Sequence, residues 1–385
     1  MYRPFVVGYT QEIAEIWAAL SSGRDVALHG PRGSGKTTLL YRIRDGAAER
    51  RFAAAFINAG VARNPSEFVS GLYKAAKAIP SAEVAIKEAT RKLKSGLAGI
   101  AAVEVSLSGL KLEFDKEAKG RQEGDWKVAG EVLLSSLESL KSNTVIIVDD
   151  FDCFLESLEQ SALPEFLSWF RAMCEIGRQS NSASWLFTSN HRLHQYVLEH
   201  SSRNALHDLY YVELRPFDES TAGDFLYTAL ASSGLEVQED DRLYAIKRLG
   251  TTYPYFLQAF AHTLSRIAPT GANIVTRADI DAVFERLALD TSTFIPRITA
   301  IVSSQVGPQY SDATMQILKE ISKSETGLTK EQVDKLLKSE LGSKAPKRAA
   351  AAVLSTLVAE HILSKQDDRF TVAIGPLRES LRGDA

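Results

Sequence analysis

Apolar residues along this chain change their spacing twice. From residue 1 to about 215, short apolar runs with polar or glycine ends recur: DVALHG (Asp25–Gly30), FAAAFINA (Phe52–Ala59), TVIIVDD (Thr144–Asp150), SWLFTSN (Ser184–Asn190) and LYYVEL (Leu209–Leu214). Each is of strand length, and stretches with helical spacing lie between them. Strands alternating with helices predict an α/β fold, a parallel sheet with helices on both faces. Between the second and third runs lies an insert, about 62–140. In it AVEVSLSGLKLEF (Ala102–Phe114) alternates apolar and polar residues on either side of Ser108–Gly109 and predicts a hairpin. The charged run Asp115–Asp125 after it reads as a solvated loop.

From about 216 to 305 the strand pattern stops. Glu219–Gly234, Asp240–Gly250, Pro254–Ala268 and Arg277–Asp290 carry apolar residues at helical spacing, with Thr276 as N-cap of the last and Asp279 in its first turn. From 306 to 385 three further helices are expected within Asp312–Ser324, Thr329–Leu341 and Pro346–Leu363. A polar turn and a short alternating strand within Ser364–Ile374 follow. Three helices with a strand pair outline a winged helix-turn-helix. The expected division is therefore 1–215, 216–305 (a helical lid domain) and 306–385.

The first strand runs into GPRGSGKTT: Gly30, Pro31, Arg32, Gly33, Ser34, Gly35, Lys36, Thr37 and Thr38. The spacing G-x-x-x-x-G-K-[ST], set between a strand and a helix, is that of a loop whose backbone N–H groups cradle phosphates. Lys36 is placed to reach the β and γ phosphates and the Thr37 hydroxyl to bind Mg²⁺. The third strand ends in Asp149 and Asp150. A carboxylate at the carboxyl edge of a parallel strand can hold the magnesium shell, a role that falls to Asp149, and Asp150 is placed to polarise the attacking water. Asp152 and Glu156 read as surface residues or local caps.

These motifs resemble those of P-loop ATPases, and the remaining segments are similar to the AAA+ and STAND families, in particular the archaeal-type ATPase group. Pro4–Leu20 resembles the N-terminal box of those families, with Gly8-Tyr9-Thr10 where they have Gly-Arg-Glu. The Ser106–Leu110 segment looks like the hairpin of that group. Ser184–Asn190 looks like the sensor-1 strand, with Ser189 or Asn190 at its polar tip. Val212–Leu226 resembles the entry to the lid, and Pro254 the proline that opens a lid helix near the adenine. The resemblance implies ATP and Mg²⁺ held between core and lid, and an arginine supplied by a neighbouring subunit. Arg203 is the first candidate for it, with Arg171 and Arg178 as alternatives.

Charge changes the picture little. The chain has 385 residues and a net charge of −3, so no general basic field points to nucleic acid. From 306 to 385 twelve Lys or Arg stand against eleven Asp or Glu. Lys344, Lys347 and Arg348 cluster at the start of the third helix, and Lys365 and Arg369 flank the wing, where phosphates would be met. The helix itself, AAAAVLSTLVAEHIL, looks made to pack, so duplex DNA and a docked protein both remain open as partners. Two cysteines, Cys153 and Cys174, fit reduced thiols, the N-terminus does not read as a signal peptide, and the longest apolar run, Ala349–Ala359, is too short to span a bilayer. The histidines lack metal-ligand spacing, and Trp17, Trp126, Trp169 and Trp185 read as packing residues. The expectation is a cytoplasmic, slow ATPase that acts as a switch through self-assembly or a protein partner, or else on DNA.

Overall fold

The computed structural model describes residues 8–79, 82–87, 125–138, 140, 143–180, 182–190, 197, 206, 208–268, 274–289, 291–341 and 349–383. The hairpin expected at Ala102–Phe114, Arg203, and the Lys344, Lys347, Arg348 cluster lie outside them. The chain forms two compact units: one of residues 9–30 and 36–214, the other of 1–8, 31–35 and 215–385.

The first unit contains α1 (Thr10–Ser21), β1 (Val26–His29), α2 (Lys36–Gly46), β2 (Phe52–Asn58), α3 (Pro65–Lys77), α4 (Asp125–Glu138), β3 (Asn143–Asp149), α5 (Phe151–Ser157), α6 (Leu163–Ser180), β4 (Ala183–Ser189) and β5 (Tyr210–Glu213). The strands form one parallel sheet in the order β2-β3-β4-β1-β5. Every residue of β4 is buried, as is β3 from Thr144 on. That is why these strands read as continuous apolar runs rather than alternating ones. Phe68, Phe151, Phe154, Phe166 and Phe170 pack as a stacked and edge-on cluster with Trp126, Trp169 and Trp185. All four tryptophans are buried. The strand order sets the carboxyl ends of β3, β4 and β1 side by side, with the loop after β1 leaving from that edge.

The second unit continues with α7 (Glu219–Ala231), α8 (Glu239–Leu249), α9 (Pro254–Ile267), α10 (Arg277–Leu289), α11 (Thr291–Gln305), α12 (Ser311–Lys323), β6 (Leu328–Thr329), α13 (Lys330–Leu341), α14 (Ala349–Ala359), β7 (Leu363–Gln366), β8 (Arg369–Val372) and α15 (Gly375–Arg382). Thr276 and Asp279 cap α10 reciprocally: the Thr276 N–H and hydroxyl donate to Asp279 Oδ2 at 2.8 and 2.6 Å. Pro254 opens α9 in the first helical turn, where its missing N–H costs nothing. The last strands form an antiparallel sheet, β6-β8-β7, a third strand beyond the expected pair. One apolar core runs from Tyr253 and Phe256 on α9 and its approach, through Ile298 and Val302 on α11, to Ile317, Val353, Leu357 and Leu377.

Candidate active site

The loop after β1 turns on glycines. Gly33 and Gly35 have φ of +89° and +93°, a backbone region that side chains rarely adopt. A Cβ on Gly33 would also lie 2.9 Å from the Tyr255 Cβ, and the Gly33 carbonyl accepts the Tyr255 N–H at 3.2 Å. Pro31 and Ser34 are buried and Arg32 is exposed. The Pro31 carbonyl accepts the Ser34 N–H at 3.1 Å, closing the turn. Pro254, adjacent to Tyr255, thus starts the helix whose first turn meets the loop tip.

Past the loop, Lys36 begins α2 and its Nζ donates to the Gly30 carbonyl at 2.7 Å. Thr37 is exposed and Thr38 half-buried on the same turn. The Thr37 hydroxyl donates to Asp149 Oδ2 at 2.7 Å. Residues 112 positions apart in sequence therefore present a hydroxyl and a carboxylate oxygen together. This all-oxygen pair suits a hard cation such as Mg²⁺, which binds few protein ligands and keeps several waters. Among the described residues no group of three or more His, Cys, Asp or Glu could hold a metal.

Asp149 is 1% exposed, and its other oxygen accepts the Thr188 hydroxyl at 2.7 Å. Asp150 has φ +53° and ψ +40°, a left-handed conformation that costs a non-glycine residue about 1 kcal/mol or more. It stands at the N-cap of α5, yet its side chain makes no capping hydrogen bond. Instead its Oδ2 faces the Asn58 amide at 3.4 Å, at the end of β2. Burial pushes the Asp150 carboxyl above its ordinary 3.8, and the negative charges of Asp149 and Asp152 add to the rise, while the Asn58 amide and the Lys36 ammonium oppose it. A carboxyl raised in this way is a better proton acceptor than a surface aspartate.

Asp152 departs from its expected place. It is 8% exposed rather than on the surface, and its Oδ2 accepts the Asn190 N–H at 3.0 Å. Burial raises its carboxyl as well. Ser189 is buried and Asn190 half-buried. The strand-tip contact to the acidic pair is made by Thr188, which the sequence hides inside an apolar run. Arg178 is engaged within its own chain, with Nε 3.6 Å from Asp25 Oδ2 and Nη2 3.7 Å from Asp208 Oδ2, so it does not fit the arginine offered to a neighbouring subunit. At the family's arginine position Tyr9 is buried, with φ +56°, ahead of α1.

Residues 21–197 match the family model described as "AAA domain". A comparison with curated proteins gives no match. Among solved structures, a Walker-type ATPase of Pyrococcus abyssi is similar at a TM-score of 0.65 and 17% identity, over 98% of this chain and 96% of that one. The ORC2 protein of Aeropyrum pernix, solved in ADPNP–ADP complexes, is similar at a TM-score of 0.57 and 12% identity, over 98% and 93% of the two chains. The phosphate-loop geometry, the sheet order and these likenesses agree: residues 21–197 match an AAA domain, and the chain has the fold of the P-loop ATPases it resembles.

Proposed function

We propose that this protein binds ATP with Mg²⁺, hydrolyses it slowly, and uses the gain and loss of the γ-phosphate as a switch for self-assembly or for binding a protein partner. The observation that carries the reading is the 2.7 Å contact of Thr37 with Asp149, with Asp150 beside it. In this reading the N–H groups around Gly33 and Gly35 hold the phosphates and Lys36 turns its ammonium to the β and γ oxygens. Thr37 and Asp149 hold Mg²⁺, which neutralises charge on those oxygens when bound. Asp150 orients a water and takes its proton as the water oxygen bonds to the γ-phosphorus. The bond from that phosphorus to the β–γ bridging oxygen breaks, and ADP and phosphate leave. Asn190 and Pro254 complete the nucleotide surroundings, and Arg203 is the arginine offered in trans.

The phosphate loop is shared between the two residue sets. Pro31–Gly35 belong to the unit built from residues 215–385, while Gly30 and Lys36 belong to the other. The ADPNP–ADP complexes of the similar ORC2 protein support nucleotide as the ligand. Arg369, one of the basic residues of the wing, donates to the Gly327 carbonyl at 3.0 Å and the Thr326 hydroxyl at 3.2 Å. That use within the fold favours a protein-facing module over a DNA reader.

The test is calorimetric titration with ATP, with and without Mg²⁺, alongside phosphate release and sizing with ATP and with duplex DNA. We expect Mg²⁺-dependent binding, turnover abolished by Lys36→Ala, and an ATP-dependent change in size weakened by Arg203→Ala. Absence of ATP binding overturns the whole reading. Binding without turnover overturns hydrolysis, and a size that ignores ATP overturns the switch.

A further inference from the structure

We propose that Tyr255 is a positioning residue of the phosphate loop: its backbone N–H fixes the peptide that follows Gly33, so that the loop keeps its N–H groups turned to the phosphates. This role rests on the ATP reading given above. Gly33 is the third residue of the turn that the Ser34 N–H closes on the Pro31 carbonyl, and its φ of +89° has the sign that a type II turn requires there. Glycine adopts positive and negative φ about equally, so the residue type alone does not decide which way the Gly33 carbonyl points. The direction matters, because a carbonyl turned into the cradle sets its negative end against phosphate oxygens, whereas N–H groups attract them. The Tyr255 N–H donates to the Gly33 carbonyl at 3.2 Å. Committed to the helix in this way, that carbonyl does not turn toward a phosphate.

The donor is available because of the residues around it. Tyr253 is the N-cap of α9 and Pro254 its first residue. Pro254 has no N–H, and the Phe256 and Leu257 N–H groups both donate to the Tyr253 carbonyl, at 3.0 and 3.3 Å. Tyr255 therefore carries the one N–H of this first turn that has no acceptor inside the helix. Its place is fixed from below. Tyr253 and Phe256 are buried in the core that also holds Ile298, and the Tyr255 ring lies edge-on to Phe256 at 5.2 Å between centroids. The Tyr255 side chain covers Gly33 so closely that a Cβ there would lie 2.9 Å from the Tyr255 Cβ. A donor anchored in a packed core thus meets a pliable glycine within one compact unit. The anchored partner sets the shape of the pliable one.

Proline is the informative replacement, because it deletes the N–H in the first helical turn, where no bond of the helix is lost with it. For Tyr255→Pro we expect the Kd for ATP in EDTA to rise roughly 5- to 10-fold, the effect of losing one hydrogen bond that orders the loop. Pyrophosphate, which engages the loop alone, should weaken by the same factor as a competitor of ATP. KM for ATP should rise likewise, while kcat at saturating MgATP stays within about 3-fold of wild type, because bound phosphates hold the filled loop themselves. Tyr255→Ala keeps the N–H and removes the ring, and its loss of affinity should be smaller than that of the proline variant. If the proline variant does not fold, the hydroxy-acid analogue of tyrosine at position 255, which exchanges the N–H for an ester oxygen, is measured in its place. Wild-type affinity for ATP and pyrophosphate without the N–H overturns the proposal. So does a loss of kcat as large as the rise in KM, which would mark general damage, or an alanine variant that loses as much, which would assign the effect to the ring. A wild type that does not bind ATP overturns the ATP reading and this role with it. A wild type that binds ATP without turnover ends the hydrolytic reading only, and the two Kd values still decide the role of Tyr255.

Discussion

Arg248 at the end of α8 meets Glu379 on α15 in a two-pronged ion pair, Nε to Oε1 at 2.9 Å and Nη2 to Oε2 at 3.1 Å. The same guanidinium bonds Asp281 and the Tyr244 hydroxyl and lies 4.5 Å from the Phe284 ring centroid. Close by, a Cβ on Gly375 would sit 1.8 Å from the Arg248 carbonyl, so only glycine lets these backbones approach. Residues expected in separate lid and terminal domains are thus joined by a three-quarters-buried charge pair and one core. Glu379→Ala should cost about 1–3 kcal/mol in urea unfolding, because it strips a partner from a partly buried guanidinium. Lys323→Ala, which removes an exposed pair with Glu320, should cost less than about 0.5 kcal/mol. Equal effects would show that burial does not set the strength of the Arg248 pair.

Asp25 supplies a pH test in the other unit. Its carboxylate accepts the Trp185 N–H at 2.9 Å and faces Arg178, but burial dominates and pushes its pKa up to about 6 from 3.8. The folded state therefore holds this proton more tightly than the unfolded chain. The associated stability is fully present below about pH 4 and is lost as pH rises through 6, a change of about 3 kcal/mol. Asp25→Asn removes the titration. The stability difference, wild type minus variant, should fall by up to that amount between pH 4 and 7. A difference that stays constant across the window refutes the assignment.

What could be read from the residues follows from how local each signal is. The parallel strands and the phosphate loop depend on contiguous residues, an apolar run or a fixed glycine spacing, and so were legible. Helix α15 was missed because Gly375-Pro376 reads as a turn, although proline fits the first helical turn. Helix α11 was missed around Pro296, and β6 is two residues long. Thr188 and Asp152 owe their roles to neighbours 38 or 39 positions away, which no local pattern encodes. A polar residue directly after the apolar centre Trp185–Phe187 of β4, next to its carboxyl end, was the available hint for Thr188.

Gly33 is the position where the loop tolerates least change. Its positive φ and its approach to Tyr255 both exclude a side chain. Gly33→Ala should weaken ATP binding at least about 10-fold by reorienting the loop N–H groups. Overall stability should fall by only about 1–2 kcal/mol, since a solvent-edge loop can yield. Titration with ATP beside thermal unfolding separates the two effects. Retained affinity would mean that the loop N–H groups do not hold the phosphates.

The acidic pair makes a directional prediction about rate and pH. Asp150 must be ionised to take a proton from water, so kcat should fall as pH drops through its raised pKa, placing the acid limb above that of an ordinary aspartate. The limb should vanish in Asp150→Asn together with at least about 100-fold of kcat, while ATP binding persists. Asp152 raises the Asp150 carboxyl through its charge, and an asparagine in its place keeps an oxygen for the Asn190 N–H. Asp152→Asn should therefore move the acid limb to lower pH, with the plateau rate within a few-fold of wild type. A limb that moves upward, or stays put, would mean that the group titrating in the rate is not Asp150.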